Sequence, residues 1–206
     1  MKKSNLTLRA ICEGAIFIAA ATVLSLLPIW KMPQGGSFDL AMLPIIIFCV
    51  RWGLGPSLAA GFVYGVIQFM LEGGIAIGWQ SIVGDYLVAF TVLGLAGLVA
   101  RRKSGVFTGT LIAGFARFLV HYVVGATVWA EYMPETFFGM TMHSPWFYSL
   151  LYNLAYMLPN IAITLLVFAV AYKPLKKYFT ASDLLPSPAA AQPVKDPTSP
   201  KWDPER

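Results

Sequence analysis

The stretch WQSIVGDYLVAFTVLGLAGLVARRK, residues 79–103, decides how this chain is built. From Trp79 to Ala100 it carries one charged side chain, Asp85, and it then stops at three consecutive cations, Arg101, Arg102 and Lys103. About 20 apolar residues cross the hydrocarbon core of a bilayer. The stretch therefore reads as a membrane-spanning helix, with its basic end on the cytoplasmic side.

The same grammar extends in both directions. Apolar stretches run over about residues 9–29, 38–51, 56–72, 79–100, 106–130 and 147–172. Of the 15 Lys and Arg residues, ten fall at one set of ends: Lys2, Lys3, Arg9, Arg51, Arg101, Arg102, Lys103, Lys173, Lys176 and Lys177. The opposite junctions carry Lys31, Asp39, Glu72, Glu131, Glu135 and His143. The fold class expected is an all-α integral membrane protein with six transmembrane helices and both termini cytoplasmic. Span two is short, which calls for tilt, shielding by neighbours or a partly re-entrant path.

Composition agrees with this and excludes other classes. The chain has 206 residues, 57% of them hydrophobic and 12% charged, with a mean hydropathy of +0.66. Soluble domains carry about 25% charged residues. The net charge of +5 orients the protein in the lipid bilayer and is no sign of nucleic-acid binding. Cys12 and Cys49 read as small core residues, and no CxxC or Cys/His spacing suggests a metal or redox site. Residues 1–179 form the expected transmembrane domain. Residues 180–206, rich in proline, read as a disordered cytoplasmic tail.

Ionisable groups inside a bilayer are functional candidates by default. Span four starts outside, so Asp85 lies about two turns below the outer surface at about 1.5 Å per residue. Span five starts inside, which puts Arg117 near the midplane, His121 one turn further out and Trp129 near the outer end. Tyr148 and Asn153 occupy the outer part of span six. Polar and aromatic groups from different helices thus converge in the outer half of the membrane, as an outward-facing pocket requires. Arg117 and His121 share a helix face, and the long Arg117 side chain can reach Asp85 to form an ion pair. That pair is either a helix-to-helix clamp or part of a ligand site. Together with Tyr86, the group makes an aromatic box around one carboxylate. Such a box suits a flat cationic heterocycle, because aromatic faces attract the charge and the carboxylate balances it. Tyr64 on span three is either a further wall or bulk packing. Ala15 and Ala19, four apart on span one, allow close helix approach, either within the chain or to a partner. An intramembrane enzyme using Asp85 and His121 as acid and base would need a nucleophile, a metal cluster or a second carboxylate at similar depth, and the sequence offers none.

Several segments carry a resemblance. They are Glu13 to Ala20 (EGAIFIAA), Pro33 to Ser37 (PQGGS) followed by Leu40 to Pro44 (LAMLP), Asp85 to Phe90 (DYLVAF), His121 with Trp129 eight residues on, and Tyr148 with Asn153 five residues on. In this order the chain resembles the substrate-binding S components of energy-coupling factor (ECF) vitamin transporters, most closely the thiamine-specific type, over about residues 9–175. The resemblance implies a six-helix binding protein of the bacterial plasma membrane that takes thiamine as its ligand, uses no cofactor and catalyses no reaction. Asp85, Tyr86, His121, Trp129, Tyr148 and Asn153 would line the pocket, under a lid formed by the loop between spans one and two. It also implies a membrane coupling protein docking on Ala15 and Ala19, and two cytoplasmic ATPases. The chain itself has no GxxxxGK[ST] phosphate loop. There are departures from the family pattern. The carboxylate, often Glu, is Asp85. The lid tryptophan and acid are matched loosely by Gly35 and Asp39. The span-three tryptophan is Tyr64, and a loop tyrosine is Ile75. The same scaffold with a thiamine precursor or another vitamin as ligand is the alternative.

Overall fold

Residues 3–33, 35–72 and 76–184 are described in the computed structural model, so Ile75 and the tail beyond Leu184 lie outside the described residues. Six apolar helices follow one another: α1 Lys3–Ser25, α2 Met42–Trp52, α3 Leu54–Glu72, α4 Trp79–Val99, α5 Gly105–Thr127 and α6 Pro145–Phe179. All but α2 are long and apolar enough to cross a membrane. The protein is a multi-pass helical membrane protein.

Helix α2 is shorter than the expected span. Its 11 residues reach only about 17 Å, and the residues before Met42 form a turn instead. The Asp39 carboxylate accepts the Ala41 N–H at 2.8 Å, and Pro44 sits in the first turn, where its missing N–H costs nothing. Neighbours shield the short helix: Ile45, Ile46, Cys49 and Val50 are fully buried. They form the centre of the main core with Phe48, Tyr64, Phe90, Leu93, Val106 and Phe168.

Helix α4 is not uniformly α-helical. Ile82–Val88 is wound as a π-helix and Val92–Val99 as a 3-10 helix. Extended departures of this kind inside helices mark functional or strained segments. Helix α3 packs directly on the α4 backbone through Gly65, where a Cβ would lie 2.5 Å from the Tyr86 carbonyl oxygen. This close approach seats Tyr64 beside Phe90, edge to face at 5.0 Å between ring centroids.

Helix α6 runs past Lys173-Pro174, where the sequence suggested its end. Proline removes one backbone donor, but Phe179 beyond it packs on Phe168 and Tyr172 and holds the extra turn in place. The chain then turns back at Ser182–Leu184, and Ala181 and Leu184 are buried. Residues 180–184 thus belong to the packed domain and not to the tail.

The reason is an ion cluster. Arg51, expected as a membrane-flanking cation, is only 3% exposed. It donates from Nε and Nη2 to Glu13 at 3.0 and 3.1 Å. It also donates from Nη1 and Nη2 to Asp183, both at 2.9 Å. Arg9 bonds the same two carboxylates at 3.1 and 3.2 Å, and the Trp52 indole donates to Glu13 at 2.8 Å. Two cations meet two anions, with forked guanidinium–carboxylate geometry.

At the other end of the bundle two small hairpins form a cover. Trp30–Lys31 (β1) pairs antiparallel with Ser37–Phe38 (β2), and Thr136–Phe137 (β3) pairs with Met140–Thr141 (β4). Their Met32, Phe137 and Met142 pack on Tyr148, Tyr152 and Tyr156 of α6.

Candidate binding pocket

A cavity opens beneath these hairpins, lined by side chains of α3, α4, α5 and α6 and by the chain around β2. It collects all seven residues that the sequence singled out for ligand binding: Tyr64, Asp85, Tyr86, His121, Trp129, Tyr148 and Asn153. Arg117 lines it too.

Asp85 is the hub. It lies in the π-wound segment of α4, whose wider turn rotates successive side chains through a smaller angle than an α-helix does. Asp85, its neighbour Tyr86 and Phe90, five residues on, consequently all face the cavity. The Asp85 carboxylate accepts the Trp129 indole N–H at 2.8 Å and the Ser81 hydroxyl at 3.1 Å on Oδ2. On Oδ1 it meets His121 Nδ1 at 2.9 Å.

The expected ion pair between Asp85 and Arg117 does not form. Arg117 has no carboxylate within salt-bridge distance among the described residues; the side chain that meets Asp85 at that distance is His121. Arg117 instead donates from Nε to His121 Nε2 at 3.3 Å. Its guanidinium lies over the Phe90 ring, 4.3 Å from the centroid. One helical turn separates Arg117 from His121, so the imidazole fills the space that a direct pair would need. An arginine can only donate, so His121 Nε2 must offer a lone pair. The imidazole proton then sits on Nδ1 and is donated to Asp85. Charge on Arg117 and Asp85 is thereby linked through a neutral, oriented ring.

Trp129 also departs from expectation in its setting. Helix α5 ends at Thr127, and Trp129 stands in the turn that leads into a short 3-10 segment, Ala130–Tyr132. Leaving the helix is what lets its indole N–H turn back to Asp85.

Asn153 is held from several sides. Its amide nitrogen donates to Ser149 O at 2.8 Å, Ser149 Oγ at 3.1 Å and His121 O at 3.3 Å, while its oxygen accepts the Tyr156 hydroxyl at 2.8 Å. Tyr64 and Gln68, a turn apart on α3, are hydrogen-bonded at 2.6 Å. Ala15 and Ala19 are exposed on a face of α1 that no other described residue covers.

Sequence reading overlooked Gln68, Tyr152, Tyr156 and Ser149, and placed Asp39 only loosely; all line the cavity. Signals for some were present. Tyr152 and Tyr156 continue the stripe of Tyr148 at intervals of four, and Gln68 stands four after Tyr64, on the same face. Asp39 carried no such signal, because its position depends on the loop. There Asn160 of α6 clasps the backbone, accepting the Asp39 N–H at 3.0 Å and donating to Ser37 O at 2.7 Å. The Gly36 N–H faces the Tyr152 hydroxyl at 3.4 Å.

Comparison with known proteins bears on what such a pocket holds. The sequence model of the family described as "Thiamine transporter protein (Thia_YuaJ)" matches residues 11–180. The thiamine transporter ThiT of Bacillus subtilis (strain 168) is 31% identical over 191 residues, which cover 84% of this chain and 94% of that protein. The thiamine transporter ThiT of Lacticaseibacillus paracasei is 29% identical over 192 residues, 84% of this chain and 91% of that protein. Among solved structures, ThiT from Listeria monocytogenes superposes with a TM-score of 0.74 at 22% identity, covering 84% of this chain and 98% of that one. At that identity the likeness speaks for the fold.

Proposed function

The chain belongs to the thiamine transporter protein family, and from that premise we propose that its cavity captures thiamine. In this reading the protein is the substrate-binding S component of an ECF-type transporter in the bacterial plasma membrane. It crosses the membrane six times, α2 being the shielded half-length span, with both termini in the cytoplasm. A coupling protein docks on the exposed Ala15 and Ala19, and two ATPases supply the energy. The chain binds and does not catalyse.

The observation that carries the ligand assignment is the state of Asp85. It is a carboxylate held by an indole N–H and an imidazole, inside a cavity walled by Tyr64, Tyr86, Phe90, Tyr148 and Tyr156. Thiamine is a flat cationic heterocycle joined to an aminopyrimidine. A partly buried carboxylate balances the cation, aromatic faces attract it, and the second lone pair of the Asn153 amide oxygen offers a polar edge.

The test is titration of the detergent-purified chain with thiamine, read by quenching of Trp fluorescence. Saturable quenching that disappears in Trp129→Ala and moves to roughly a hundredfold higher thiamine in Asp85→Asn is the expected result. A folded chain that gives no quenching and no heat of binding would refute the assignment. The transport half of the reading requires that uptake by cells stop when the ATPase partners are deleted.

A further inference from the structure

Helix α3 contributes two residues to the cavity lining, Tyr64 and Gln68. Both are buried, at 1% and 4% exposure. A glutamine so deep in an apolar bundle is costly unless its amide is paired, and here both ends of the amide have a partner. Gln68 Nε2 donates to the Tyr64 hydroxyl at 2.6 Å. Its Oε1 faces the Ser25 hydroxyl at 3.2 Å, at the last residue of α1. Ser25 in turn donates to Thr22 O at 2.8 Å. The single Ser25 hydroxyl proton is shared between Thr22 O and the amide, so each end of the Gln68 amide has one partner and the side chain is tied to both α1 and α3.

Each end of a carboxamide has a second valence, one further N–H and one further lone pair. We propose that Gln68 is a specificity-determining residue that reads an alcohol group on the ligand, using these remaining valences. An alcohol both donates and accepts, so it complements an amide that has one of each to spare. The rest of the cavity divides the work differently. The carboxylate, indole and imidazole around Asp85 serve the charged and aromatic parts of a ligand. The Tyr64–Gln68 pair is uncharged and has no part in the Asp85–His121–Arg117 chain. The inference rests on the thiamine reading, which supplies a ligand with one hydroxyethyl arm besides its two rings. A site built to hydrogen-bond a hydroxyl discriminates against the analogue that lacks it, because the buried polar groups are then left without that partner.

The experiment compares thiamine with its analogue carrying ethyl in place of hydroxyethyl, both titrated against the purified full chain. The wild type should prefer the alcohol by about tenfold, the scale of one net hydrogen bond. Gln68→Met, of similar length and without the amide, should bring the two affinities within about twofold, by weakening thiamine and leaving the ethyl analogue unchanged. Equal weakening of both ligands, or an unchanged preference, would overturn the proposal. If Gln68→Met binds neither, Ser25→Ala carries the test. It removes the contact that ties the amide to α1 and must narrow the preference; a preference as wide as the wild type's would count against the proposal. A wild type that binds thiamine but shows no preference refutes this inference alone. A wild type that binds neither ligand refutes the thiamine reading beneath it.

Discussion

Arg117 donates to the Nε2 of His121 at 3.3 Å and thereby sets the imidazole with its proton on Nδ1, facing Asp85. The cation expected to neutralise Asp85 directly acts one ring away. It fixes the tautomer that presents a donor to the carboxylate. Without it, the ring could place its proton on either nitrogen, and the tautomer with a bare Nδ1 sets a lone pair against Asp85.

Arg117→Met should therefore weaken thiamine binding by about five- to tenfold, near 1 kcal/mol, with the fold retained. The direct readout is the nitrogen chemical shifts of His121. One tautomer is expected in the wild type and a mixture in the variant. A single unchanged tautomer in Arg117→Met would show that Asp85 alone sets the ring.

Asp85→Asn replaces a carboxylate that accepts from Trp129, Ser81 and His121 with a group having only one acceptor oxygen. Its amide hydrogens would face donors. Loss of about 2–3 kcal/mol of binding is expected, roughly a hundredfold in affinity. Isothermal titration beside a circular dichroism spectrum separates this from unfolding. Retained affinity would remove Asp85 from the ligand site.

Arg51→Met strips the buried cation from Glu13 and Asp183 and leaves the two carboxylates with Arg9, whose side chain is 38% exposed, and the Trp52 indole on Glu13. Breaking a buried pair in this way costs about 3–5 kcal/mol. The apparent melting midpoint in detergent should fall by about 10 °C. A chain ending at Thr180, which lacks Asp183, should lose part of the same stability relative to one ending at Leu184. Equal melting of those two chains would contradict the role given to Asp183.

Gly36→Ala tests the cover. A Cβ at Gly36 would lie 2.7 Å from the Tyr156 ring, so the β1–β2 hairpin could no longer seat on α6 without displacing Tyr156 from Asn153. Strain of about 1–2 kcal/mol in the closed form should speed ligand dissociation roughly tenfold in stopped-flow fluorescence, with association changed much less. An unchanged dissociation rate would mean that the hairpin does not retain the ligand.

Ala15→Trp and Ala19→Trp place bulk on an exposed face of α1 that takes no part in the cavity. Thiamine binding by the purified chain should be unchanged, while uptake in cells is lost. Normal uptake in both variants would move the partner elsewhere.

Much of this protein was legible from local, additive properties of its chain. Hydropathy and length marked the apolar helices, and basic clusters at their ends gave the expected orientation. Rise per residue set the depth of Asp85, His121, Trp129, Tyr148 and Asn153, so their convergence on one cavity was legible before any coordinates. Which atoms meet was not, because depth says nothing of how each helix is rotated or wound. The π-wound turn of α4 and the exit of Trp129 from α5 give Asp85 its indole and imidazole partners, and the one-turn spacing of Arg117 and His121 interposes a ring in the expected ion pair. Arg51 reads as a membrane-flanking charge until Glu13 and Asp183, distant in sequence, are brought around it. Gln68, Tyr152 and Asp39 gain their place only when α1, α6 and the β1–β2 loop close over α3. Burial and polar pairing of this kind are properties of several segments at once, and tertiary packing alone decides them.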